Sequence, residues 1–181
     1  MPNWCANDLY IEGPTDKVAE CVAFIGERFD FDKLIPYPEK FKQMDEEAAA
    51  FSFFGGKGTK EEQAIAREAY IAKWGTDSDG FNSGGYEWCV TNWDTKWNNP
   101  EVTSYLHPVR GQCLTFDTAW SPPIAVIKAL AAKFPELSLC HEYFEQGAAF
   151  CGGVTYPSLE QLNDGDEIRE WSGDYNGPRG G

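Results

Sequence analysis

Basic residues are scarce in this chain: 15 Lys and Arg stand against 29 Asp and Glu, a formal net charge of −14. Direct binding of duplex nucleic acid or an anionic membrane is therefore not expected, because either polyanion would be repelled. Long apolar runs are missing too; none approaches the roughly 18 residues of a bilayer-spanning helix. The opening Met1-Pro2-Asn3-Trp4-Cys5 has neither the positive region nor the apolar core of a secretory signal, so a cytoplasmic protein is expected. Histidine is reduced to His107 and His141, and no two of the six cysteines stand in C-x-x-C spacing. No metal site is predicted, and without an export signal the cysteines are expected as free, buried thiols. The phosphate-loop, dinucleotide-fingerprint, nucleophile-elbow and zinc-protease patterns are all absent, so no cofactor is predicted. Gly55-Gly56-Lys57-Gly58-Thr59 lacks the spacing of a phosphate loop and reads as a linker.

What is present is aromatic and patterned. The hydrophobic fraction of 42% and aromatic fraction of 15% are those of a folded protein. The densest stretch runs from Tyr86 to Asn98 and carries Trp88, Trp93 and Trp97 among Asn, Asp, Thr and Lys. Such a stretch suits a core seam, an anchor for a protein partner, or a platform on which a base stacks.

Asn3 to Gly13 alternates with a period of two and reads as a strand ended by Gly13-Pro14. Val18, Cys21, Val22, Ile25 and Phe29 then recur at spacings of three and four, the apolar face of a helix with Thr15 as its N-cap. Phe31 to Pro38 is an extended, proline-punctuated segment. Residues 39–85 change character and read as an insertion. Within it a helix from about Thr59 to Trp74 stops at Gly75, with Tyr70, Ile71 and Trp74 on one side and Ile65, Ala69 and Ala72 on the other. A glycine-rich loop follows to Gly85. The Trp-rich stretch stands first after the insertion, and a loop through Pro100 and Pro108 follows it. Gln112 to Trp120 alternates, and Ser121-Pro122-Pro123 opens a helix with Ser121 as N-cap. Leu137 to Glu145 and Ala148 to Tyr156 flank a hairpin turn at Gln146-Gly147. The order strand, helix, insertion, strand, strand, helix, strand, strand predicts an α+β chain. Its core is a ferredoxin-like βαββαβ antiparallel sheet with an extra C-terminal hairpin strand and a helical insertion. One domain is expected over 1–171, with a flexible tail over 172–181.

Met1 to Asn7 leading into Leu9-Tyr10-Ile11-Glu12-Gly13 resembles the opening of the YubB ferredoxin-like family, small proteins of bacteriophages and conjugative plasmids. Phe31 to Pro38, Trp88 to Trp97, Phe116 to Pro123 and Phe150 to Gly153 are similar to its other signature stretches. Glycine is usual in that family where Asp94 stands here. The resemblance implies a ferredoxin-like fold and a mobile-element origin, and it brings no catalytic residue.

Asp117 falls on a strand face otherwise made of Cys113, Thr115 and Ala119, so it is expected on the uncovered side of the sheet. His141, on an alternating strand, is expected to be structural. A hydrolase built on Asp117 and His141 is the weakest of three readings. The second is a module that sequesters a small signalling nucleotide in an aromatic pocket. The favoured one is a non-enzymatic acidic protein that binds and inhibits a host defence or nucleic-acid-handling protein through that protein's basic surface. Candidate binding residues are Trp88, Trp93, Asp94, Lys96, Trp97, Asp117, Tyr70 and Trp74.

Overall fold

Alternation along Trp4–Glu12 has the physical outcome expected of it. Cys5, Asn7, Leu9 and Ile11 are buried, while Trp4, Ala6 and Asp8 face the other way. A computed structural model describes residues 3–51 and 58–177. Most of the Gly55–Thr59 linker, the Phe-rich run before it and the end of the tail lie outside the described residues. The chain divides into two compact units, Met1–Ile35 with Thr91–Gly181, and Pro36–Val90.

The first unit is built on a sheet of order β2-β3-β1-β4-β5-β6, antiparallel throughout. Its strands are β1 (Trp4–Glu12), β2 (Val102–His107), β3 (Gly111–Ala119), β4 (Ser138–Glu145), β5 (Phe150–Tyr156) and β6 (Arg169–Asp174). Helix α1 (Thr15–Ile25) follows β1 and helix α5 (Ile124–Lys133) follows β3. The pieces β1-α1-β2-β3-α5-β4 are the ferredoxin-like unit, and β5 and β6 extend it beyond β4. One sheet face joins the helices in the core: Leu9, Ile11, Leu114, Leu139 and Val154 are buried with Cys21, Ile25, Val126, Ile127 and Leu130.

Several local expectations change. The second strand is Val102–His107, not the Trp-rich stretch, whose first part is helix α4 (Tyr86–Asn92). The buried positions Gly85, Cys89 and Trp93 recur every four residues, a helical period that the interleaved polar residues obscure. Thr15 is the first residue of α1, which follows Pro14 without a side-chain cap. Phe31–Lys33 is a short 3-10 turn whose anchor is the fully buried Phe31, with Leu34 and Ile35 only half-buried. The strand β6 carries the folded chain to Asp174, past the expected start of a loose tail at Ser172. All six of its residues are exposed, so pairing with β5, not an apolar pattern, holds it. Helix α6 (Leu159–Asn163), closed by a capping box between Ser158 and Gln161, precedes it.

The second unit contains α2 (Glu39–Ala48) and α3 (Lys60–Trp74) and encloses the expected insertion. Thr59 and Glu62 form a reciprocal capping box, and Gly75 ends α3 at φ 75°. Met44, Ala48 and Tyr70 are buried together, with Phe41, Phe51 and Trp74 against them. The glycine-rich segment after α3 is not a loose loop. Phe81–Gly85 forms a kinked π-helical turn, and the Phe81 amide donates to the Asp45 carboxylate at 2.9 Å.

Candidate functional site

The register of β1 and β3 decides where Asp117 points. Asp117 pairs with Ala6, and Asp8 with Thr115, so both carboxylates share the face opposite the buried Leu9 and Leu114. On β4, Glu142 is directly across from Asp8. A hollow of about 530 Å³ lies on this face within the first unit, with Ala6, Asp8, Thr115 and Asp117 in its lining. Trp4 and Trp97 wall it, 50% and 39% exposed, with ring centroids 6.0 Å apart. Arg28 and Glu101 are at its rim and pair with each other at 2.6 Å. Burial raises the Asp117 carboxyl above its ordinary range. The Asp8 carboxyl is raised as well, by burial first and then by the neighbouring Glu142.

Beside the hollow, Arg110 lies over the Tyr10 ring, 3.5 Å from its centroid. Its guanidinium donates to Glu142 Oε1 at 2.9 Å and to Cys140 Sγ at 2.9 Å. A planar cation between an aromatic face and a carboxylate is thus already built into this sheet.

The other sequence-predicted residues have different work. Trp93 is buried, donates from Nε1 to the Ile35 carbonyl at 2.9 Å, and packs edge-on against Phe31. Lys96 stacks on the neighbouring Trp97 ring, 4.7 Å from its centroid. In the second unit, Trp88 meets Tyr37 edge-on at 5.5 Å. There too Tyr70 donates to the Ser78 carbonyl at 2.7 Å, and Trp74 donates to Glu47 at 2.9 Å. Of the eight predicted residues, only Trp97 and Asp117 line the hollow. Trp4 and Asp8 escaped notice as site residues, because only strand register brings them beside Asp117. The alternation that separates Trp4 and Asp8 from Leu9 was the available signal.

Asp94 serves the fold. It has φ 61°, its side chain accepts from the Ala125 amide at 2.7 Å, and its carbonyl accepts from Ser121 Oγ. It therefore caps α5 from a distant loop. Ser121 does not cap the helix itself, because Pro122 and the non-helical Pro123 intervene. Asp94→Ala is expected to lose about 1–2 kcal/mol of stability, since the cap goes and the left-handed backbone remains strained. Asp94→Gly, which relieves that strain, is expected to fall between the two in chemical denaturation.

His141 is fully buried on the covered face. Its Nε2 donates to Asn7 Oδ1 at 3.0 Å, and its ring stacks on Phe116. Its Nδ1 finds no hydrogen-bond partner among the described residues, so the ring is only half satisfied. Burial pulls its pKa down to about 3. His141 pairs with Leu9 while Asp117 pairs with Ala6, which puts the two on opposite faces of the sheet. They cannot act together on one substrate. Cys5, Cys21, Cys89 and Cys113 are buried free thiols, whereas Cys140 and Cys151 are partly exposed.

Residues 92–175 match the family model described as "Ferredoxin-like domain in Api92-like protein". The stretch is a ferredoxin-like domain. Its sheet is completed by β1, which lies outside the match and between β3 and β4. The ferredoxin-like domain and the rest of the chain are also similar to a solved structure, protein api92 from Yersinia pseudotuberculosis. The TM-score is 0.52 at 12% identity, over 98% of this chain and 99% of that one. At that identity the likeness speaks for the fold. No curated protein matches the chain in sequence. Among the described residues, no helix is long and apolar enough to cross a membrane.

Proposed function

We propose that this is a non-enzymatic, acidic binding protein of the YubB-like group, carried by a phage or plasmid. It acts in the host cytoplasm by occupying the basic surface of a host defence or nucleic-acid-handling protein. One observation carries this reading: the open sheet face presents two raised carboxylates, Asp8 and Asp117, beside the exposed rings of Trp4 and Trp97. Exposed tryptophan beside carboxylates that hold no ion pair is the chemistry of an anchor for a cationic partner. The net charge of −14 steers such a partner inward. A sequestered nucleotide would find two stackable rings in the same hollow. Its phosphates, however, would approach the carboxylates, which favours the protein partner.

The test is capture from lysate of a bacterial host by the immobilised chain. It is run in parallel with Asp8→Asn/Asp117→Asn and with the charge-matched Glu46→Gln/Glu68→Gln in α2 and α3. One basic host protein is expected to be retained by the wild type and the helix variant, lost from the sheet-face variant, and inhibited by the wild type in its own assay. Equal retention by all three forms, or capture without inhibition, would overturn the reading.

A further inference from the structure

The sheet face holds two acidic and aromatic places, and the protein fills one of them itself. Tyr10, Glu142 and Cys140 surround Arg110, whose guanidinium stacks on the ring and bonds the carboxylate. The neighbouring place repeats the components: Trp4 and Trp97 as rings, Asp8 and Asp117 as carboxylates. Among the described residues, neither Asp8 nor Asp117 has a hydrogen bond or an ion pair from its side chain. The basic groups nearby are engaged elsewhere, Arg28 with Glu101 and Lys96 with the Trp97 ring.

We infer that this second place receives an arginine side chain of the partner protein, held as the sheet holds its own Arg110. The inference rests on the reading of the chain as a binder of basic proteins, and it names the group recognised. Geometry favours arginine over lysine. Asp8 and Asp117 sit at diagonal positions of the β1–β3 pair, with Cα atoms roughly 7–8 Å apart. A guanidinium presents donors on two edges and reaches both carboxylates at once, while its flat face covers an indole; an ammonium is a point charge. Burial raises both carboxyls; the Arg110 charge offsets this only in part at Asp8 and not at Asp117, so an arriving cation relieves a cost that the fold already carries.

The experiment uses the full chain and a terminally blocked tetra-arginine peptide, followed by tryptophan fluorescence and calorimetry. Tetra-lysine, free arginine and ATP are the comparison ligands. The expected result is saturable one-site binding of tetra-arginine, at least tenfold tighter than tetra-lysine, with a change in indole emission. Asp8→Asn/Asp117→Asn is expected to weaken it at least tenfold, and Glu46→Gln/Glu68→Gln less than twofold. Removing two unpaired, mutually repelling carboxylates is not expected to lower the melting temperature, so lost binding will not reflect lost folding. Trp4→Ala is expected to abolish the emission change. Equal weakening by the two charge-matched variants would mean general electrostatics and would overturn the slot. Preference for ATP, or equal affinity for arginine and lysine peptides, would overturn it too. A peptide that binds as expected while lysate yields no inhibited partner leaves the slot standing and removes the host-inhibitor reading. A captured partner whose retention depends on the sheet face, with no peptide binding, does the reverse.

Discussion

His141→Phe is expected to flatten the acid sensitivity of the protein between pH 6.5 and about 3. The histidine is buried on the covered face of the sheet, against Asn7, Phe116 and Tyr143, with its pKa pulled from 6.5 to about 3 by desolvation. The sign follows from which state takes the proton. Below pH 6.5 the unfolded chain protonates this ring and the folded chain does not, so acid favours unfolding. Its contribution to stability is complete above pH 6.5 and is lost as pH falls toward 3. The slope approaches about 1.4 kcal/mol per pH unit, and the whole window amounts to on the order of 5 kcal/mol. Asp8, Asp45 and Asp117 have raised carboxyls and work in the opposite direction at the acid end. They are common to both proteins, so the difference between wild type and variant isolates the histidine. The variant starts weaker at neutral pH, by about 1–3 kcal/mol, because Asn7 Oδ1 loses its donor. Urea unfolding at half-unit pH steps reads the slope directly. Parallel curves for the two proteins would show that the buried ring does not govern acid stability.

A second large effect is expected in the unit Pro36–Val90. A Cβ placed on Gly80 would lie 2.1 Å from the Phe41 carbonyl oxygen and within 3 Å of that residue's C and Cα. These are backbone atoms of α2, so no rotamer change makes room. Gly80→Ala is expected to displace the Phe81–Gly85 turn and to cost about 3 kcal/mol, at the upper end for overpacking. The Phe81 amide, held by Asp45, is expected to lose its protection from hydrogen exchange. Gly75→Ala is the control: it meets nothing within 4 Å, and its φ of 75° alone costs about 1–2 kcal/mol. Equal stabilities for the two variants would overturn the steric account.

The strands and helices that bury one face were legible because burial imposes a period. Leu9 and Ile11, or Ile127 and Leu130, announce themselves by their spacing. Where burial does not set the pattern, the sequence was silent. The wholly exposed β6 has no apolar alternation, and α4 hides a four-residue period among polar side chains. The site divides in the same way. Asp117 was visible as the odd residue on its strand face, and Trp97 as a surplus ring. The company of Asp117 with Trp4 and Asp8 arises from β1–β3 register over more than a hundred residues, and that of Trp97 with Trp4 from a contact almost as distant, which no local window contains. Glycines of the Phe150–Gly153 stretch were visible without a reason. The reason is close approach, since a Cβ on Gly153 would collide with the Trp171 indole of β6.

The place of β1 in the sheet has a consequence for how the chain is made. β1 is synthesised before the other strands of its sheet, yet both of its neighbours arrive late: Ile11 pairs with Gln112 on one side and Leu139 on the other. Ordering so distant a pairing carries a large loop-closure entropy, and topologies of this kind fold slowly. Until the ribosome has released β3, this apolar strand has neither edge satisfied, and it gains its second partner only with β4. From its own synthesis until that of β3 it is therefore a bare, sticky segment of the nascent chain, open to chaperones or to a second nascent copy. The strand that centres the finished sheet is the one most exposed while the protein is being born.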